Sequence, residues 1–237
     1  MSTTNRGYIE LRGEDSMKFL QGQVSCDLNQ LNDNRVIRGC RCTPKGRVVF
    51  LFSATLNDDN SIVLETHPSV VATAIASLEK YAVFFKTEIS DISHQDLFIE
   101  PKLDSLQRLR AGLADITLDT TDQFIPQMLN LDLLDFINFK KGCYTGQEVV
   151  ARAHYLGKVK RRMYLLALDT ESVPLSGSVL LDTKSKPLGT VINAQANDQG
   201  CVEVLVVLST MNTEIESVVL DQTEISVEML NLPYDLV

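Results

Sequence analysis

The chain has 237 residues and a formal net charge of −9; 44% of residues are hydrophobic and 22% charged, close to the averages for folded soluble proteins, which excludes a disordered, collagen-like or coiled-coil chain. No uncharged run reaches the roughly 20 residues of a membrane helix, and the opening MSTTNRGYIELRGED lacks the apolar core of a secretory signal. Five cysteines (26, 40, 42, 143, 201) are an odd count for a disulfide framework, so reduced thiols in the cytoplasm are expected.

The first part of the chain reads as mixed α and β. Asp15 is placed to cap a short helix with apolar positions Met17, Phe19 and Leu20, ending near Gly22. Residues 47–56 (RVVFLFSATL) and 61–66 (SIVLET) are strand-like and joined across Asn57-Asp58-Asp59-Asn60, a turn-forming tetrapeptide. Pro68 opens an amphipathic helix in which Val71, Ala74, Ile75, Leu78, Tyr81, Ala82 and Phe85 recur at helical spacing. Residues 87–99 return to strand character, and Leu103, Leu106 and Leu109 mark a short helix stopped by Gly112. The absence of a regular βαβ alternation argues for α+β rather than a doubly wound parallel sheet. From about residue 163, MYLLALD, SVLLD, LGTVINA, CVEVLVVL and SVVL are short apolar or alternating runs separated by turn residues, which predicts an antiparallel barrel or sandwich.

Charge divides the chain. Residues 140–162 carry seven cations (Lys140, Lys141, Arg152, Lys158, Lys160, Arg161, Arg162) against Glu148 alone, a local +6 between two acidic stretches. Such a block either attracts an anion or is a solvated polar face. A second basic block, from Arg35 to Arg47, contains no acid. Cys143 lies between Lys140-Lys141-Gly142 and Tyr144-Thr145-Gly146-Gln147-Glu148. Neighbouring ammonium groups and a helix beginning at Gln147 would favour its thiolate, with Gly142 and Gly146 letting the backbone turn sharply. The competing reading is a small buried hydrophobe. Cys40-Arg41-Cys42 has no second pair or suitably spaced histidine to complete a zinc site, so these cysteines read as structural and no metal site is expected. His67, His94 and His154 are scattered and read as surface or core residues, and Asp27 as a cap or turn residue.

The stretch FKKGCYTGQEVVAR resembles the Lys-Gly-Cys-Tyr-x-Gly-Gln-Glu signature of the YgfZ family, which is related to the folate-binding T-protein (aminomethyltransferase) of the glycine cleavage system. FLQGQVSCDL (19–28), CTPKGRVVF (42–50), RAGL (110–113), FIPQMLNLD (124–132) and YLGKVKRRMY (155–164) resemble further family stretches in the same order. The resemblance implies a T-protein-like α+β fold: a folate-binding region of two α+β subdomains over residues 1–160, then an antiparallel β-barrel over 161–237. It implies an accessory protein for iron–sulfur cluster assembly or repair that uses tetrahydrofolate and supports iron–sulfur enzymes such as those that thiolate tRNA. Carried onto this chain, it makes Cys143 the reactive residue with Lys141 beside it, and Tyr144, Gln147, Glu148 and Arg152 the folate-site residues. Gln21 and Gln23 would bond a pterin edge or each other's backbone. Folate-binding members use tryptophans around the pterin; this chain has none, leaving Tyr8, Phe50, Phe124 and Tyr144 as candidate stackers. The chief rival is a tetrahydrofolate-dependent aminomethyltransferase, whose own pattern at this place, Lys-x-x-x-Gly-Arg-Glu, lacks the cysteine. The overall acidity and the lack of an RNA module argue against direct tRNA binding.

Overall fold

The computed structural model describes residues 6–31, 35–95, 97, 99, 103–211 and 215–236. Its first half is built on an antiparallel sheet of β1 (Gly7–Arg12), β2 (Ile37–Cys42), β3 (Val48–Leu56), β4 (Ile62–Thr66) and β5 (Glu88–Asp91), in the order β2-β3-β4-β1-β5. The Asn57–Asn60 turn closes the β3–β4 hairpin: the Asn57 N–H donates to the Ser61 carbonyl at 2.9 Å and Asn60 takes a φ of 62°. Helix α1 (Ser16–Gln21) buries Phe19 and Leu20. Asp15 precedes it without capping it, and its carboxylate accepts the Lys86 N–H at 2.9 Å instead. Pro68 starts a single 3-10 turn, after which α2 (Val71–Ala82) turns Val71, Ala74 and Leu78 into the core over the sheet. The extended run expected over 87–99 is shorter: it stops at Asp91, whose carboxylate accepts the Ser93 N–H and turns the chain, and residues 96 and 98 lie outside the described ones.

Helix α3 (Ser105–Arg110) carries a reciprocal capping box between Asp104 and Gln107, which satisfies two otherwise unpaired N–H groups. Residues 113–146 then run irregularly, apart from a 3-10 turn at Pro126–Leu129, into α4 (Gln147–Tyr155). The rest closes into a six-stranded antiparallel barrel of β6 (Arg161–Leu168), β7 (Val179–Leu181), β8 (Pro187–Ala196), β9 (Val202–Ser209), β10 (Ser217–Leu220) and β11 (Thr223–Leu230), in the ring order β10-β11-β6-β9-β8-β7. No helix of the described residues is long and apolar enough to cross a membrane.

The near-continuous apolar runs of β6 and β9 follow from burial on both faces. Leu166, Leu168, Val204, Val206 and Leu208 fill the barrel, while Met163, Leu165, Leu205 and Val207 point outward into the core shared with the sheet and α2. One hydrophobic core therefore joins the two halves. The segment FIPQMLNLD fastens them: Asn130, in the left-handed conformation, donates Nδ2 to the Met163 carbonyl at 2.8 Å, and Asp132 receives a two-pronged pair from Arg162 at 2.6 and 3.0 Å. Both side chains of that ion pair are buried, and Arg162 also donates to the Gln127 carbonyl. Asp132→Ala strands a buried guanidinium and is expected to lower unfolding free energy by about 3–5 kcal/mol in urea denaturation; a loss below about 1 kcal/mol would show that the pair does not hold the halves together.

Candidate functional site

The signature stretch folds against the FLQGQVSCDL stretch, and one buried lysine joins them. The Lys141 ammonium is turned inward and donates to the carbonyls of Gln21 at 2.8 Å, Val24 at 2.7 Å and Cys26 at 2.6 Å. All three of its protons are thereby used. The Tyr144 ring lies beneath the same ammonium, 5.3 Å from nitrogen to centroid, a cation–π contact. Around this anchor the two stretches are laced by backbone bonds from Asn138 N–H to the Ser25 carbonyl and Thr145 N–H to the Gly22 carbonyl. The Asn138 side-chain oxygen accepts the N–H groups of both Lys140 and Lys141.

Helix α4 starts at Gln147, as its sequence predicts, and its entry is set by Gly146. Gly146 has a φ of 86°, and a Cβ there would stand 2.4 Å from the Thr43 carbonyl oxygen. The CTPKGRVVF turn thus packs directly on the start of the signature helix. Gly142 behaves differently: a Cβ there meets nothing, so its role is not steric.

On this frame Cys143 is exposed, whereas Cys26, Cys40 and Cys42 are buried. The buried thiols are a separate matter from the exposed one. Burial pushes Cys26 up to about 12. Cys40 and Cys42 have their sulfurs 3.8 Å apart, and the hydrogen bond between them lowers Cys40 and raises Cys42, which burial raises further. The Lys141 ammonium is occupied by carbonyls, so the part in steadying the Cys143 thiolate expected of it is served by no hydrogen bond in this structure.

The other candidate residues divide into framework and surface. Gln21 bonds the Asp27 carboxylate through its nitrogen and the Leu28 N–H through its oxygen, and does not hold the Gln23 backbone. Gln23 accepts from the Thr145 hydroxyl at 3.2 Å. Gln147 accepts the Tyr144 N–H. Glu148 and Arg152 are exposed on α4. Tyr8, Phe50, Phe124 and Tyr144 are all buried and line none of the three cavities described below; burial pushes the Tyr144 phenol up.

The cavities lie elsewhere. A cleft of about 660 Å³ is walled by Asp27, Arg35, Arg38, Asn138, Phe139 and Lys140 among others, so it draws on both basic blocks. A second, of about 520 Å³, opens between the sheet half and the barrel beside Arg6, Arg108, Asp115 and Asn193. A small cavity at Phe52, Ser53 and Phe136 shares Arg38 with the first cleft and Arg6, Arg108 and Asp115 with the second. Asp115 is held ionised despite its burial by Arg6 at 2.8 Å and Arg108 at 3.1 Å, which keep its carboxyl below the usual range. None of the eight residues singled out from the signature and the glutamine pair lines these three cavities. Arg38, Asn138, Phe139 and Lys140 line the first; Lys140 belongs to the first basic block and Arg38 to the second, whereas nothing in the sequence singles out Asn138 or Phe139.

Comparison with known proteins places this geometry in context. No family model matches the chain. An uncharacterized protein of Haemophilus influenzae is 29% identical, covering 100% of this chain and 98% of that protein. The tRNA-modifying protein YgfZ of Photobacterium profundum is 30% identical over 97% of this chain and 89% of its own length, and that of Pectobacterium atrosepticum 30% identical over 95% and 88%. In fold, the chain is similar to the glycine cleavage system aminomethyltransferase T from Bartonella henselae, with a TM-score of 0.74, 15% identity, and coverage of 97% of this chain and 84% of that one.

Two outcomes follow from the site. In the native protein one thiol should react rapidly with a small aromatic disulfide reagent, and Cys143→Ala should abolish that fast phase without lowering the melting temperature. A fast phase that survives the substitution would assign the reactive thiol elsewhere. Burial pulls Lys141 down to about 8 from an unfolded value of 10.5. Below pH 8 both states hold the proton and the burial penalty is full; between about 8 and 10.5 only the unfolded chain keeps it, so stability rises with pH. Relative to Lys141→Met, the native chain should gain on the order of 2–3 kcal/mol across that window in urea denaturation; parallel curves would refute the shift.

Proposed function

The chain belongs to the YgfZ family, and from that premise we propose that it is a folate-binding accessory protein for iron–sulfur cluster assembly or repair, acting in support of iron–sulfur enzymes that include tRNA-modifying ones. The observation that carries the reading is Cys143: the sole exposed cysteine among three buried and one half-buried, presented on a loop that a buried lysine holds rigid. A cysteine kept for packing would lie inside; this one is held out to solvent at considerable structural expense beneath it.

The larger cleft, in the sheet half, suits a folate in its chemistry. It is within the usual volume range for ligand sites. Arg35, Arg38 and Lys140 supply cations for the glutamate carboxylates. Asp27, Asp135 and the free amide nitrogen of Asn138 offer partners for a pterin edge, and Phe139 offers a ring face. Tetrahydrofolate, when bound, supplies a carrier for a one-carbon unit. The chain's own residues bind and orient it: the cations fix the tail, Asn138 and the acids fix the ring, and the apolar wall of Ile37, Leu134 and Ile137 excludes water. The lack of tryptophan moves the stacking task to Phe139 in this reading.

The rival reading, an aminomethyltransferase, is favoured by the shared fold alone, and fold does not carry activity. The test has two arms. Saturating tetrahydrofolate should raise the melting temperature by mass action, and Arg35→Ala combined with Lys140→Ala, both on exposed side chains, should weaken that shift about tenfold in concentration. In cells lacking the native protein, Cys143→Ala should fail to restore iron–sulfur-dependent tRNA thiolation. No thermal shift would remove the folate; full restoration by Cys143→Ala would remove the thiol. Cysteine-independent transfer from an aminomethylated lipoyl carrier would establish the rival.

A further inference from the structure

Counting charges over the chain conceals how the folded cations are sorted. Of the seven cations in residues 140–162, Lys141 and Arg162 are turned inward and consumed by carbonyls and by Asp132. The other five, Lys140, Arg152, Lys158, Lys160 and Arg161, are exposed, and none is in an ion pair among the described residues. Glu148 is the one acid of the segment and is likewise exposed on α4.

Aromatic rings sit within this cationic segment. Phe139 and His154 are stacked, with centroids 3.8 Å apart and planes 14° from parallel. Tyr155 meets both edge-on, at 6.1 Å and 4.7 Å. One face of His154 is covered by Phe139, but His154 itself is exposed, Tyr155 is 65% exposed and Leu156 84%. Because Phe139 touches the end of α4 and Cys143 lies near its start, residues 139–143 run back alongside the helix. The segment thus carries an exposed ring pair at the end of α4, an exposed thiol ahead of its start, and exposed cations next to the rings in sequence at 140, 152 and 158 and further on at 160 and 161.

We propose that this surface binds an unpaired segment of RNA, such as a tRNA loop, with bases stacked on His154 and Tyr155 and phosphates met by Arg152, Lys158, Lys160 and Arg161. Bases present flat apolar faces to exposed rings, and a phosphate chain alternates with them at short intervals, which is the pattern of rings and cations found here. An acidic protein would use the cations and leave the rings without a partner. A membrane would need a broader apolar face than Tyr155 and Leu156 provide. The inference rests on the function proposed above only in the choice of tRNA as the RNA.

The experiment is fluorescence anisotropy of the full chain with labelled unmodified tRNA and with a labelled oligouridine decamer, at 50 and 200 mM salt. Binding should be tighter at the lower salt. His154→Ala with Tyr155→Ala should weaken both probes at least tenfold, and Lys158→Glu with Arg161→Glu should weaken them and flatten the salt dependence. Unchanged melting temperatures would show that these exposed substitutions leave the fold intact, and tetrahydrofolate-induced stabilisation measured on the same variants keeps failure here separate from failure of the folate reading. Three results overturn the proposal: no binding at 50 mM salt, binding indifferent to the aromatic substitutions, or equal binding to poly-glutamate or to phosphatidylglycerol vesicles.

Discussion

The arrangement around Cys143 depends on one buried ammonium. Taking the Lys141 charge out of water is costly, and the compensation is three carbonyl acceptors within 2.8 Å and an aromatic face at 5.3 Å. The geometry suits lysine and not arginine: a compact head with three donors fits a ring of converging carbonyls, whereas a planar fork would miss at least one. Those carbonyls belong to consecutive turns of residues 21–26, a loop with little regular hydrogen bonding of its own. Without the lysine the loop would have buried acceptors and no donors. The ammonium therefore decides the shape of the loop, and through Thr145 and Asn138 the path of the chain on either side of Cys143.

A second fastening carries that local order to the whole molecule. Gln127 donates to the Val150 carbonyl in α4, Asn130 to the Met163 carbonyl in β6, and Asp132 takes the Arg162 guanidinium. Six residues of irregular chain thus hold the helix after the thiol and the first barrel strand in fixed relation. The cavity of about 520 Å³ is likewise lined from both halves, by Arg6 and Asp115 on one side and Ser176 and Asn193 on the other. Polar groups do the fastening because only directed bonds can set an angle between halves whose shared core is otherwise a nondirectional apolar contact.

Much of this architecture was legible in the amino acids, and the failures have physical causes. The β3–β4 hairpin, α2, α3 and five barrel strands follow from periodicity and turn residues. Three strands were not picked out. β1 is short and mixed; β2 alternates through arginines, one of which, Arg41, is buried over Tyr81 in place of being solvated; β11 (TEISVEML) has an acidic outer face that hides its Ile225, Val227 and Met229 alternation. Within the signature and the stretch it packs on, Lys141, Gln21, Gln23, Tyr144 and Gln147 make contacts inside the loop, while Cys143, Glu148 and Arg152 are exposed. Sequence spacing places residues near one another but does not say which way each side chain turns. The aromatic residues went astray for the same reason: Tyr8, Phe50, Phe124 and Tyr144 were equally plausible stackers until burial took all four, leaving Phe139 on the cleft wall.

The division of charge gains its meaning from that sorting. A chain of net charge −9 repels polyanions at long range, and the barrel stretch from residue 163 onward contributes most of the repulsion, with eleven acids against two lysines. Five exposed cations without an ion pair among the described residues reverse the sign locally, over the face that residues 140–161 form. Within a Debye length of about 8 Å at physiological salt that face dominates, and beyond it the two signs together form a dipole. A polyanion would accordingly be turned toward the cationic face and kept from the rest of the surface. For the RNA partner proposed above, overall acidity would then act as an orienting constraint, confining a polyanion to the segment that also carries the ring pair and the exposed thiol.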